Sequence, residues 1–145
     1  MTEPSKQDQL RRILYELQLM EGTVQTLQQR VELLNGAATD LIMSNDSLTE
    51  LNKLKTDSSL LVPVGGGTFV HANLGDINKV IIGIGADVSV EMELDKALDT
   101  IKSRLTEVEK AETFAQDQLS QVINQMQIYQ NVAQRLSTDL QGDAT

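Results

Sequence analysis

The sequence predicts an α+β fold, in which a long antiparallel coiled-coil helical hairpin carries two β-hairpins at its connecting end. Three observations predict this fold. Apolar residues recur at alternating spacings of three and four in the first third of the chain, and the same spacing returns in the last third. Between them lies a short stretch of alternating apolar residues and glycine-rich turns. The first two patterns are typical of coiled-coil helices, and the third is typical of short strands.

The first helix is predicted over residues 6–56, behind Pro4 and a capping pair made by Ser5 and Asp8. A serine that precedes a helix and accepts a hydrogen bond from the backbone three residues later is a common helix start. An apolar stripe with a period of about 3.5 residues, here called the seam, marks the side of a helix that packs on another helix. The seam of the first helix contains Leu10, Ile13, Leu17, Met20, Val24, Leu27, Val31, Leu34, Ala38, Leu41, Asn45 and Leu48.

The second helix is predicted over residues 93–140, because a second seam of the same period runs through this segment. Glu112 is the one polar residue of this seam. The seam of the second helix contains Leu94, Leu98, Ile101, Leu105, Val108, Glu112, Ala115, Leu119, Val122, Met126, Tyr129, Ala133, Leu136 and Leu140.

The two helices are nearly equal in length and are joined by a compact segment, so we expect them to fold back on each other. The pattern alone leaves one alternative open, in which each helix pairs with a helix of another chain. In the antiparallel arrangement, the expected layers join Leu10 with Leu140, Leu27 with Val122, and Leu48 with Ile101.

Residues 58–92 are predicted to form two β-hairpins, because apolar residues alternate there with a period of two. The four strands read LLVPV, TFVHA, VIIGI and VSVEM. Gly65–Gly67 separates the first two strands and Ile84–Asp87 separates the last two, and glycine suits the positive φ angles of such turns. We expect the whole chain, residues 1–145, to form one domain.

The two predicted hairpins need partners. An isolated two-stranded hairpin is marginally stable in water, and its open edges invite pairing with other strands. A thin coiled coil buries too little of their apolar surface, so we expect the hairpins to join those of other chains in a closed sheet or barrel. The residues predicted to serve this oligomerisation are Leu61, Val62, Val64, Phe69, Val70, Val80, Ile82 and Val88.

Charge and composition exclude several classes of partner. The net charge is -9, from 21 acidic and 12 basic residues, and no basic stripe offsets it. Binding to nucleic acid or to an anionic membrane surface needs clustered Lys and Arg, so we expect neither partner. No segment approaches the roughly 20 apolar residues that span a bilayer, and the first ten residues lack an apolar signal region. We therefore expect a cytoplasmic chain.

The residues do not indicate an enzyme. A strand is predicted after Gly65–Gly67, whereas a phosphate-binding loop needs a helix N-terminus at that place. His71 is the only histidine, and the sequence names no partner that would make it a general base or a metal ligand. Cysteine is absent, which excludes thiol catalysis. We expect no catalytic residue, no cofactor and no metal.

One end of the predicted coiled coil has an unusual surface. No charged residue occurs from Gln118 to Gln134, and the apolar residues Ile128 and Val132 lie outside the seam. Leu14 and Leu19 lie outside the seam of the first helix at the same end. Exposed apolar groups in uncharged surroundings indicate a binding surface. The alternative is that glutamine is simply a good helix former and that single exposed apolar residues are common.

The segments LLVPVGGGTFVHA and KVIIGIGADVSVE, placed between two long helices, resemble the α-class subunit of archaeal prefoldin. The resemblance covers nearly the whole chain, and two hairpins are a feature of the α class, since β-class subunits carry one. It implies an ATP-independent chaperone in which two α and four β subunits join their hairpins in a double β-barrel. Six coiled coils project from that platform.

The resemblance also implies what the coiled coils do: their tips hold unfolded proteins and pass them to a group II chaperonin. The tips are the ends that carry both chain termini, where the uncharged surface lies. A structural coiled-coil scaffold and a homo-oligomeric relative with one defined partner stay open as alternatives. The residues predicted to bind clients are Leu10, Ile13, Leu14, Leu19, Met126, Ile128, Val132 and Leu136.

Overall fold

The predicted α+β architecture is confirmed by a computed structural model, which describes residues 3–143. The ends of the domain predicted over 1–145 therefore lie outside the described residues. Gly36–Val108 form one compact unit, here the hairpin unit, and the chain before and after it forms a second, the terminal unit. In chain order the elements are α1 (Lys6–Leu51), β1 (Ser59–Gly65), β2 (Thr68–Asn73), β3 (Lys79–Gly85), β4 (Val88–Glu93) and α2 (Leu94–Asp143).

Helix α1 begins as expected and ends before the predicted residue 56. At its start, the backbone N–H of Asp8 donates to Ser5 Oγ at 3.2 Å, which satisfies one of the free donors of the first turn. At its end, Lys53 N–H donates to Glu50 O and Leu54 N–H to Leu51 O, both at 3.1 Å. These bonds reach back three residues rather than four, so the last turn tightens and the helix stops.

Burial along both helices follows the predicted seams. Every seam residue of α1 and α2 is buried or half-buried, and most of the other helical residues are exposed. In the terminal unit, Lys6 Nζ lies 3.7 Å from Asp139 Oδ2, and Val31 and Leu119 line one shallow cleft. In the hairpin unit, Leu48 packs with Ile101. Each unit therefore pairs α1 with α2 in antiparallel order, and the alternative of helices paired only with other chains is wrong.

The strands form two separate antiparallel sheets of two strands each, β1 with β2 and β3 with β4. Gly65, Gly66 and Gly67 all have positive φ, and the 104° of Gly65 is an angle that a side chain would strain. The base of the first hairpin is closed by two backbone bonds, from Asp57 N–H to Leu74 O at 2.8 Å and from Leu74 N–H to Ser58 O at 2.9 Å.

A small apolar core attaches the second hairpin to the helices of its unit. Ile82 of β3 packs with Ala97 and Ile101 of α2, and Ala97 has no exposed surface. Half-buried side chains surround this cluster on α1, β3 and β4: Leu41, Leu48, Val80 and Met92. The first hairpin has no comparable attachment, since only Leu60 and Ala72 among its strand residues are half-buried.

Asn45 is the one polar residue in the seam of α1, and its side-chain oxygen is buried with no hydrogen-bond partner among the described residues. We expect Asn45→Leu to raise the free energy of unfolding by about 1 kcal/mol, because it removes an unsatisfied acceptor from an apolar layer. Urea denaturation followed by circular dichroism measures this change. Asn124→Leu on the exposed side of α2 is the control, since it makes the same gain in helix propensity. Equal effects of the two changes would contradict the assignment.

Candidate interaction surfaces

The predicted client-binding residues divide into two groups in the structure. Those of the seam are half-buried between the helices of the terminal unit: Leu10, Ile13, Met126 and Leu136. Those outside the seam are exposed: Leu14, Leu19, Ile128 and Val132. The second group is available to another molecule without any rearrangement of the helix pair.

Three of the exposed residues lie together on one side of the helix pair. Leu19 and Ile128 occupy position c of their heptads and Val132 occupies position g, and in an antiparallel pair these positions of both helices face the same side. Val31 and Leu119, which line one cleft, set a register in which Leu19 lies level with the turn of α2 that carries Ile128 and Val132. We call these three residues the tip patch. Leu14 occupies position e and lies on the opposite side.

The tip patch is exposed, and two hydroxyls near it are already hydrogen-bonded within α1. Leu19 is 55% exposed and Ile128 is 60% exposed. The nearby threonine hydroxyls are already bonded inside α1, where Thr23 Oγ1 donates to Leu19 O at 3.2 Å and Thr26 Oγ1 donates to Gly22 O at 3.1 Å. A partner that covers this surface therefore leaves neither of these two hydroxyls without a hydrogen bond.

The stripe of exposed apolar residues is longer than the sequence analysis predicted. Leu33 of α1 and Phe114 of α2 are also exposed in the terminal unit. Both occupy position c, so they lie on the same side of the helix pair as the tip patch. Their heptad positions can be read from the sequence, but both residues lie outside the uncharged segments on which the prediction was based. Tyr15 is a further exposed ring, at position f.

The hairpins carry the second predicted surface. On the first hairpin all the predicted residues are exposed: Leu61, Val62, Val64, Phe69 and Val70. They lie on both faces of the sheet, because Val62 pairs with Val70 on one face and Phe69 pairs with Pro63 on the other. Each sheet has only two strands, so each strand also has one unpaired edge.

The second hairpin differs from the expectation in one strand. Ile82, predicted to serve oligomerisation, is only 9% exposed and lies in the core of its own unit, where Val80 is half-buried beside it. Val88 is exposed as expected of a surface residue. The exposed apolar residues of this hairpin that the sequence analysis missed are Ile81, Ile84 and Val90.

The described residues offer no group of three or more His, Asp or Glu side chains arranged to hold a metal ion. Strand β2, not a helix, follows the glycine turn, so the turn lacks the helix N-terminus of a phosphate loop. His71 is exposed on β2 opposite Leu61. Within residues 3–143, no helix is long and apolar enough to cross a membrane.

Comparisons with known proteins agree with this architecture. A family model described as prefoldin subunit matches residues 20–139. The chain is 34% identical over 113 residues to prefoldin subunit alpha of Methanopyrus kandleri, which covers 78% of this chain and 72% of the relative. It is 32% identical over 104 residues to prefoldin subunit alpha of Pyrococcus horikoshii, covering 71% of this chain and 70% of the relative.

A solved structure shows the same fold. The cryo-EM structure of filamentous PFD from Methanocaldococcus jannaschii superposes with a TM-score of 0.67 at 20% identity, covering 77% of this chain and 92% of that one. Two long helices joined by two β-hairpins thus place the chain in the class of coiled-coil hairpin subunits. The chain belongs to the prefoldin family, and the relatives just described are alpha subunits.

Phe69→Asp separates assembly from folding on the first hairpin. Because Phe69 is exposed, we expect the variant to keep the circular dichroism spectrum of the wild type and to lose its multimeric state in light scattering. Leu33→Asp in the terminal unit is the control and leaves the mass unchanged. A multimer of normal mass from Phe69→Asp would exclude this face of the hairpin as an interface.

Ile82→Asp should act through folding instead, because a carboxylate would replace a buried side chain that packs on Ala97 and Ile101. We expect a loss of about 3 kcal/mol or more in the free energy of unfolding, measured by urea denaturation. An unchanged midpoint together with a lost multimer would show that Ile82 faces another subunit.

Proposed function

We propose that the chain is a subunit of an ATP-independent cytoplasmic chaperone that binds unfolded proteins at its coiled-coil tips and delivers them to a group II chaperonin. The tip patch carries this proposal. It offers three exposed apolar side chains from two helices, near the ends that carry the chain termini, and the α2 segment from Gln118 to Gln134 that contributes two of them has no charged residue. Membership of the prefoldin family supports it.

The proposed mechanism is weak binding repeated over several tips. Covering an apolar side chain of this size contributes about 1 to 2 kcal/mol, so one tip patch holds a client loosely. Several tips of one complex act on the same chain and raise the overall affinity without any new contact. Because each contact dissociates readily, release requires no hydrolysis, and the proposed function needs no catalytic residue or cofactor.

We propose further that two copies of this chain assemble with four β-class subunits and that their hairpins close a double β-barrel. The exposed apolar faces of the first hairpin and the open edges of both sheets support this assembly. The net charge of -9 supports protein partners over nucleic acid or an anionic membrane.

Native mass spectrometry of the tagged chain, purified from its own cells, tests the assembly. Two copies with four copies of a smaller coiled-coil chain are expected. Copies of this chain alone would contradict the proposed stoichiometry and favour a homo-oligomeric relative.

Replacing Leu19, Ile128 and Val132 together by serine tests the tip patch. We expect the amount of complex needed to suppress aggregation of several unrelated unfolded proteins to rise by more than tenfold, because three apolar contacts are lost at every tip. The complex should keep its mass. Salt should have little effect on wild-type holding, since the patch contains no charge.

The matched control replaces Ile42 and Leu54, which are exposed in the hairpin unit, by serine and should leave holding unchanged. If the tip-patch variant suppresses aggregation as well as the wild type, clients bind elsewhere on the molecule.

A further inference from the structure

The hairpin unit contains an open groove of about 430 Å³ that is distinct from the tip patch and from the faces of the first hairpin. One wall is α1, with Met43, Ser44 and Ser47. Strand β3 forms another with Ile81, and Arg104 of α2 also lines the groove. The groove therefore combines a cation, two hydroxyls and exposed apolar side chains in one place.

Arg104 is half-buried and forms no ion pair or hydrogen bond with any residue in 3–143. Two exposed basic residues do pair with carboxylates: Lys53 Nζ lies 2.9 Å from Glu50 Oε1, and Arg12 Nε lies 3.4 Å from Glu16 Oε1. A guanidinium has five N–H donors in a fixed plane, and no nitrogen of Arg104 is buried without a hydrogen-bond partner, so these donors are open to solvent. The donors of Arg104 are therefore available to an acceptor from another molecule.

Ser44 and Ser47 stand three residues apart on the same side of α1 and line the groove with Arg104. Their hydroxyls form no hydrogen bond among the described residues. The neighbouring Thr49 hydroxyl, by contrast, donates to the backbone oxygen of Asn45 at 2.7 Å. Two free hydroxyls beside a guanidinium fit a carboxylate, which accepts several hydrogen bonds at once.

The apolar part of the groove is equally unpartnered. Ile81 is 74% exposed and Met43 is 62% exposed. Methionine adapts its shape to the group that covers it. A molecule that covers the apolar side chains of the groove and pairs with its polar groups must therefore place a large apolar group next to a carboxylate.

We propose that the groove binds a peptide segment of an adjoining subunit in which an Asp or Glu stands next to a large apolar residue. The carboxylate accepts from the Arg104 guanidinium and from the Ser44 and Ser47 hydroxyls, and the apolar side chain covers Met43 and Ile81. This proposal rests on the assembly proposed above. A subunit is the occupant because the groove includes β3, part of the second hairpin, whose other exposed apolar residues also lack partners within the chain.

Arg104→Lys identifies the facing group directly. In the complete complex, a water-soluble carbodiimide joins an amine to a carboxylate that lies in contact with it, and mass spectrometry of the digest locates the link. We expect position 104 to be joined to an Asp or Glu of an adjoining subunit that has a large apolar neighbour in sequence. The wild type has no amine at position 104, and the exposed Lys102 is present in both proteins as an internal reference.

Arg104→Ala measures the contribution of the groove to assembly. We expect the dissociation constant of the adjoining subunit to rise about tenfold, because a charge-assisted contact is lost. Arg104→Lys should give a smaller loss, because it keeps the charge but not the planar fork. Lys102→Ala is the matched control and should bind as the wild type does. Circular dichroism should be unchanged in all three, since Arg104 has no partner within the chain.

Three outcomes are distinguishable. A link to a partner carboxylate together with the loss in Arg104→Ala supports the proposal. Links from position 104 only to carboxylates of its own chain, with Arg104→Ala assembling as the wild type does, overturn it and leave the proposed function intact. A wild-type protein that binds no other subunit contradicts the proposed assembly itself, and the inference about the groove fails with it.

Discussion

The seam between two helices buries only a limited area of apolar surface, and the rest of this structure depends on that limit. A helix that packs on another covers only one stripe of its surface. The seam residues of α1 and α2 therefore account for the burial that the pair provides. Among the described residues no large side chain is fully buried. Most of the large apolar residues outside the seam therefore remain exposed on surfaces that another molecule can cover, and only a few are buried, as Ile82 and Leu74 are.

The two hairpins differ in how much of their apolar surface is buried within the chain. One face of the second hairpin packs on the helices of its own unit, where Ile82 contacts Ala97 and Ile101. Neither face of the first hairpin packs on the helices in this way. Within the chain it is held mainly by the pairing of its strands and the two backbone bonds at its base. A two-stranded sheet with apolar residues on both faces is poorly stable by itself. The hairpin that contributes least to the fold of the single chain thus has the most surface to contribute to an assembly.

The helical part of this fold could be predicted residue by residue, because a seam depends only on spacing along one helix. The end of α1 could not. Leu54 is a further apolar residue past the last helical residue, Leu51, whereas the chain turns where Asp57 bonds to the distant Leu74. Strand β3 was ambiguous for another reason: Ile81 and Ile82 are both apolar, so alternation could not tell which face meets the helices. Arg104 gave no local signal, since its lack of a partner is a property of the packed structure.

The tip patch and the groove differ in the kind of selectivity that their chemistry allows. An uncharged apolar surface gains energy from almost any apolar group and discriminates little between sequences, which suits a surface that must accept many unfolded chains. A guanidinium with two hydroxyls requires a carboxylate at a defined place, and a partner without one leaves buried donors unpaired. Of these two surfaces, only the groove thus includes a charged side chain, and its proposed partner is one defined segment. The three residues of the patch are uncharged, and its proposed partners are many. Salt weakens the charged contact and not the neutral one, so it can separate assembly from client holding within one molecule.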